Sequence, residues 1–136
     1  MHVLGGEHLG GKSPEGVVWH SAPRDSRDAY IPGSLLIVPV RIASGVRMKI
    51  LEAWARGIPV LATPEAAAGL DATDGRELLL FRDAPGLIDA LRRLRDNPRL
   101  IEEMELAGRS RLVREHEPGR VARDLLRHYR RGRLSR

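Results

Sequence analysis

Short unbroken apolar runs alternate along this chain with stretches whose apolar residues recur every three or four positions. That is the pattern of strands alternating with helices. His2–Leu4 and Val17–His20 read as short strands separated by a Gly-rich stretch, and Arg24–Ile31 as a short polar helix ended by Pro32-Gly33. Leu35–Val38 is continuously apolar, which predicts a strand buried on both faces. The spacing then predicts a helix over 46–56 stopped by Gly57, a second buried strand over Ile58–Ala62 and a further short strand over Leu78–Phe81. Helices over 84–95, 98–115 and 118–131 complete the chain, with Pro98 and Pro118 near their starts, where a missing N–H costs little. The expectation is one α/β domain over 1–136, sheet-containing over 1–83 and helical over 84–136: a Rossmann-like parallel sheet with a helical C-terminal tail. A doubly wound sheet opens with strand, Gly-rich turn and helix, whereas here only a loop separates the first two strands. A first strand–helix unit is therefore expected to be missing upstream, which makes the domain incomplete.

Composition narrows the function classes. With 136 residues, 42% hydrophobic and 30% charged, the chain can bury a core, which excludes a disordered tail. No apolar run approaches membrane-spanning length, and Met1 leads straight into a strand-like segment without a secretory leader. The absence of cysteine excludes disulfides and thiolate chemistry, and five scattered histidines without ligand spacing argue against a metal enzyme. The formal charge of +5 is local: residues 120–136 carry seven Arg against one Asp, a net +6, so the remainder carries −1.

Gly6–Ser13 matches G-x-x-x-x-G-K-S/T, the phosphate loop of nucleotide hydrolases. That loop requires its Lys-Ser pair to open a helix, and Pro14, Gly16 and the β-branched Val17-Val18 leave no room for one. A strand-to-strand loop is the better reading. The stretch 35–63, LLIVPVRIASGVRMKILEAWARGIPVLAT, carries more chemistry. Ligands of open parallel sheets sit beyond the carboxyl ends of strands, where Pro39–Ser44 lies. Ser44 suits an N-cap, Gly45 lets a ligand approach the backbone, and the free N–H groups of 45–47 would form an anion site. Glu52 would lie about 9 Å further along the helix, within reach of a ribose whose diphosphate sits at the helix end. The competing reading makes Glu52 a solvated residue or a partner of Arg56 at i+4.

The same stretch resembles the C-terminal, nucleotide-sugar-binding domain of GT-B retaining glycosyltransferases of family 4. The resemblance rests on Pro39, Arg41, Ser44, Gly45, Lys49, Leu51, Glu52, Ala53, Ala55, Gly57, Pro59, Val60 and Thr63, in the family's order and spacing. It continues through Ala67–Leu70, Gly75–Leu79 and the helical region 86–116. The resemblance implies sugar transfer from a nucleotide-diphosphate sugar to a glycan or lipid acceptor, with retention and without a metal or cofactor, the nucleotide-sugar being a substrate. It assigns Glu52 to the donor ribose, the backbone at Ser44, Gly45, Val46 and Arg47 to the diphosphate, Lys49 to the phosphate region, and Trp19 and His20 to a loop bordering the base. Ser44 stands where many members carry a Glu that contacts the transferred sugar. The family's N-terminal acceptor domain is absent from this chain, and with the missing strand–helix unit goes a basic pair that grips the diphosphate. The isolated chain is accordingly expected to be inactive. By analogy the parent enzyme builds envelope polysaccharide or glycolipid, in the cytoplasm or at the inner face of the membrane.

Two other classes compete: a non-catalytic remnant or regulatory nucleotide-binding module, and an anion binder acting on lipid or RNA through the Arg-rich C-terminal helix. In that helix Leu125, Leu126 and Tyr129 lie on another side from Arg120, Arg123 and Arg127, which suits a solvated face docked on another domain, or anionic lipid headgroups. Without interleaved aromatics or a nucleic-acid-binding fold, the basic run argues against nucleic acid. Asp25, Asp28, Asp71 and Asp74 read as caps and turn residues, and Trp54 as core beside Ile50 on one helix face.

Overall fold

The computed structural model describes residues 2–4, 13–21, 23–42, 45 and 47–132, in two compact units, Met1–Gly33 and Ser34–Arg136. In the first unit β1 (His2–Leu4) pairs in parallel with β2 (Val18–His20), His2 opposite Val18 and Leu4 opposite His20. The His2 and His20 rings stack with centroids 5.0 Å apart, and Nδ1 of His2 lies 2.7 Å from Nε2 of His20. Most of Gly6–Ser13 lies outside the described residues. From Ser13 onward the chain makes a turn, closed by the Val17 N–H donating to the Pro14 carbonyl, and then enters β2 rather than a helix. Arg24–Ile31 contains a single 3₁₀ turn, Ser26–Ala29, with Asp25 as its N-cap accepting from the Arg27 N–H at 2.8 Å.

The second unit is an α/β layer structure. Its parallel sheet has the order β3 (Leu36–Val38), β4 (Val60–Ala62), β5 (Leu79–Leu80), linked through α1 (Met48–Ala55) and the short α2 (Pro64–Ala67). Helices α3 (Ala84–Asp96), α4 (Pro98–His116) and α5 (Pro118–Gly132) follow, within two residues of the expected spans at either end. All three residues of β4 are fully buried, as a central parallel strand requires. Leu61 joins the cluster of Leu79, Phe81, Leu94, Leu100 and Met104, while Val60 and Ala62 alternate to the other face. The expectation for β3 needs correction. Only Val38 is buried there, Leu36 and Ile37 being half-exposed, because β3 is an edge strand bonded to β4 alone among the described residues. The apolar run gave the strand correctly but not its place in the sheet.

Gly57 ends α1 as expected. Its φ of +65° is the left-handed conformation, its N–H donates to the Trp54 carbonyl and the Ile58 N–H to that of Ala53. Both are the bonds of a Schellman motif, which satisfies carbonyls at the helix end. Helix α2, absent from the sequence expectation, is set by Thr63 and Pro64. The Thr63 hydroxyl accepts from the Ala66 N–H and donates to the Val40 carbonyl, and Pro64 occupies the first turn.

Between α4 and α5 the Glu117 carboxylate accepts from the N–H groups of Gly119 at 2.9 Å and Arg120 at 2.6 Å. These bonds, with the nearby Arg123 guanidinium, hold its pKa below the ordinary value of 4.5. A depressed folded pKa means that the cap is at full strength above the ordinary value and is lost as pH falls through the lowered one. Amide exchange at Gly119 and Arg120 is therefore expected to accelerate only below about pH 4.5, relative to amides deeper in α5. In Glu117→Ala the difference should already be present at neutral pH; unchanged exchange in that variant would remove the carboxylate as the cap.

Candidate nucleotide-binding site

The β3–α1 crossover places the second unit's candidate residues. β3 delivers the chain to Pro39 at its carboxyl end, and α1 opens nearby. The helix starts at Met48 with Arg47 as its N-cap, two residues later than the pattern suggests. Arg47 itself is extended, with φ of −81° and ψ of 91°, which keeps the first helical residue at Met48; Gly45, with φ of +72°, lies in the left-handed region. The helical bonding begins with the Ile50 N–H, which donates to the Arg47 carbonyl at 2.9 Å. Ser44 and Val46 lie outside the described residues.

Of the remaining candidates, the structure brings Gly45, Arg47, Lys49 and Glu52 together on one loop and the two turns of helix after it. Gly45 and Lys49 are exposed, and Arg47 and Glu52 half-buried. Glu52 lies about 6 Å along the axis from Met48, closer to the helix start than the earlier opening would have put it. Its i+4 neighbour Arg56 donates from Nη1 to the Glu52 backbone carbonyl at 2.9 Å. Arg47 has a more telling feature: its Nε is buried and has no hydrogen-bond partner among the described residues. A buried guanidinium N–H of this kind is a donor whose acceptor is not found among the described residues, and Nε of Arg111 and Nε2 of His116 share that state. Trp19 and His20 belong to the first unit, on the exposed strand β2.

Behind this helix is a polar cluster that local sequence patterns do not reveal. Trp54 is 1% exposed and donates from Nε1 to the Glu77 carbonyl at 3.1 Å. The Glu77 side chain is equally buried, Oε2 accepting from the Thr73 N–H at 2.9 Å and Oε1 lying 3.7 Å from Nε of both Arg76 and Arg111. Gly108 of α4 gives the indole its space: a Cβ there would fall 2.4 Å from Cδ1 of Trp54. Trp54, Glu77, Gly108 and Arg111 together fix how α1 lies on α4. The available signals were the apolar setting of Trp54 and the apolar run Leu78–Phe81 next to Glu77, which do not show that the carboxylate meets Arg111.

An α/β unit with a parallel sheet, a loop and helix N-terminus beyond the edge strand β3, and a carboxylate one turn along that helix has the architecture of a Rossmann-like domain. Residues 24–127 match the family model described as glycosyl transferase-like, which is well over half of the chain. The chain belongs to this glycosyl transferase-like family. No curated protein matches it.

Proposed function

We propose that the chain is the donor-binding domain of a GT-B glycosyltransferase resembling family 4, whose parent enzyme transfers a sugar from a nucleotide-diphosphate sugar to a glycan or lipid acceptor with retention. Membership of the glycosyl transferase-like family supports the class. The buried Nε of Arg47 at the N-terminus of α1, without a hydrogen-bond partner among the described residues, supports the assignment of the diphosphate position. In this reading the Met48 and Lys49 N–H groups, the α1 dipole and the Arg47 guanidinium stabilise the negative charge that builds on the departing diphosphate. Lys49 adds a cation in the same turn. Glu52 accepts hydrogen bonds from the ribose hydroxyls one turn further on, and the conformation of Gly45 keeps the loop backbone open to the phosphates. The reaction breaks the bond from the sugar's anomeric carbon to the diphosphate and forms one to an acceptor hydroxyl oxygen, whose proton is released.

Ligand-observed NMR of the chain with UDP-, GDP- and ADP-sugars tests this. One nucleotide class is expected to bind, and Glu52→Gln to weaken it by roughly 10- to 100-fold, the worth of hydrogen bonds to a charged acceptor. Binding that is indifferent to Glu52→Gln, or the absence of binding by any of the three, would overturn the reading for this chain.

A further inference from the structure

The two parts of the candidate site are located by different neighbours. The loop after β3 is tied to the end of β4, where the Thr63 hydroxyl donates to the Val40 carbonyl. Helix α1 is seated on α4 through an enclosed contact, the Trp54 indole lying against Gly108. At 3.6 residues per turn Lys49 and Glu52 fall on roughly the opposite side of α1 from Trp54. The side chains offered to a ligand and the side chain that seats the helix therefore share the same two turns.

The contact has no slack. A Cβ at position 108 would fall 2.8 Å from Nε1 and 2.9 Å from Cγ of Trp54, well inside the roughly 3.5 Å that nonbonded heavy atoms keep. The indole cannot turn aside, because it is enclosed and its Nε1 donates to the Glu77 carbonyl at 3.1 Å. Glu77 is itself held by the Thr73 N–H and lies beside Arg111 of α4. A side chain at 108 is accommodated only by moving one helix away from the other, on the order of 1 Å. Helix α4 has 19 residues, with Leu100 and Met104 in the core around Leu61, whereas α1 has 8; α1 is the one that gives.

Such a shift carries Lys49 and Glu52 along and leaves the anchor at Val40 behind. A ligand held by loop and helix together then matches neither arrangement. Given the donor site proposed for this loop and helix, we infer that Gly108 and Trp54 are its positioning residues: by fixing the spacing of α1 from α4 they set the affinity for the nucleotide-sugar without touching it.

The test is nucleotide-sugar affinity, by ligand-observed NMR on the full chain, below the unfolding midpoint of each variant and with circular dichroism to confirm the fold. Gly108→Ala is expected to weaken binding by about 10- to 100-fold, since a displacement of about 1 Å costs on that order. Trp54→Phe keeps most of the ring's bulk and loses the bond to Glu77; a few tenths of an ångström of play should cost it roughly three- to fivefold. Where Gly108→Ala folds it decides the matter, and where it does not, Trp54→Phe does. The control is Leu94→Ala, which opens a cavity in the cluster around Leu61, to which no described residue of α1 belongs. It should lose stability yet bind within about twofold of the unsubstituted chain. Unchanged binding in the deciding variant overturns the inference and leaves the donor reading standing. An equal loss in Leu94→Ala overturns it as well, because general loosening then explains the effect. No binding by the unsubstituted chain overturns the donor reading, and this inference with it.

Discussion

Trp54→Ala is expected to destabilise the second unit by about 3–5 kcal/mol, the range for removing a large buried aromatic side chain. The ring is almost wholly enclosed, and α4 is already reduced to Gly108 where it passes. Helices α1 and α4 cannot close the resulting cavity by approaching further, because the backbone of α4 already lies against the ring's edge. The Glu77 carbonyl also loses its indole donor, and an unsatisfied buried acceptor adds to the cost. For a unit of this size the loss corresponds to a fall in Tm of roughly 15 °C. Trp54→Phe separates the two contributions, since it keeps most of the volume and loses only the hydrogen bond; about 1–2 kcal/mol is expected. Thermal and urea unfolding of both variants check this, and a loss below about 1 kcal/mol for Trp54→Ala would mean that the α1–α4 contact does not hold the unit together.

Glu77→Ala should cost a similar amount, about 3–5 kcal/mol, by a different route. Removing the carboxylate leaves the mostly buried Arg111 guanidinium without its counter-charge and the Thr73 N–H without its acceptor. Arg76 matters less, since its side chain is two-thirds exposed and water replaces what it loses. The signature that distinguishes a charge effect from a volume effect is partial recovery. Glu77→Ala/Arg111→Ala is expected to be more stable than the sum of its single substitutions, because the second change removes the group that the first one stranded. Urea unfolding of the four proteins in the cycle gives the coupling; strict additivity would show that Glu77 and Arg111 do not interact.

The elements were legible in the sequence wherever a local signal decided the matter. Val60–Ala62 announced itself by an apolar run between Pro59 and Thr63, and the end of α1 by Gly57, because strand burial and helix termination are written within a few residues. Helix α2 could have been found: Thr63 before Pro64 and Glu65 is a cap, a first-turn proline and a first-turn acid in sequence, passed over because four residues are too few for periodicity. The edge position of β3 was not legible, because hydrogen-bond partners are chosen by the whole sheet and an apolar run reads the same at its centre and at its margin. The start of α1 shifted because Arg47 is extended, with φ of −81° and ψ of 91°, a backbone fact that its residue type does not announce. The candidate site residues follow from their pattern, whereas the burial of Nε of Arg47, without a hydrogen-bond partner among the described residues, does not. Nor does the Glu77 cluster, whose members at 54, 77, 108 and 111 meet only through tertiary packing.

Thr63 joins two neighbouring strands in a way that bears on how this domain can diversify. One buried hydroxyl takes the Val40 carbonyl with its proton and the Ala66 N–H with its oxygen. The loop after β3 therefore has its anchor at the end of the adjacent strand rather than within itself. Changes of side chain at Pro39, Val40 or Arg41 can alter what the loop touches without altering where its backbone begins, since the clamp engages only a carbonyl that every residue type carries. Position 63 has no such latitude: only a hydroxyl of that reach performs both tasks. Side-chain change along the loop is thereby compatible with a fixed backbone anchor, and that anchor rests on a single residue outside it.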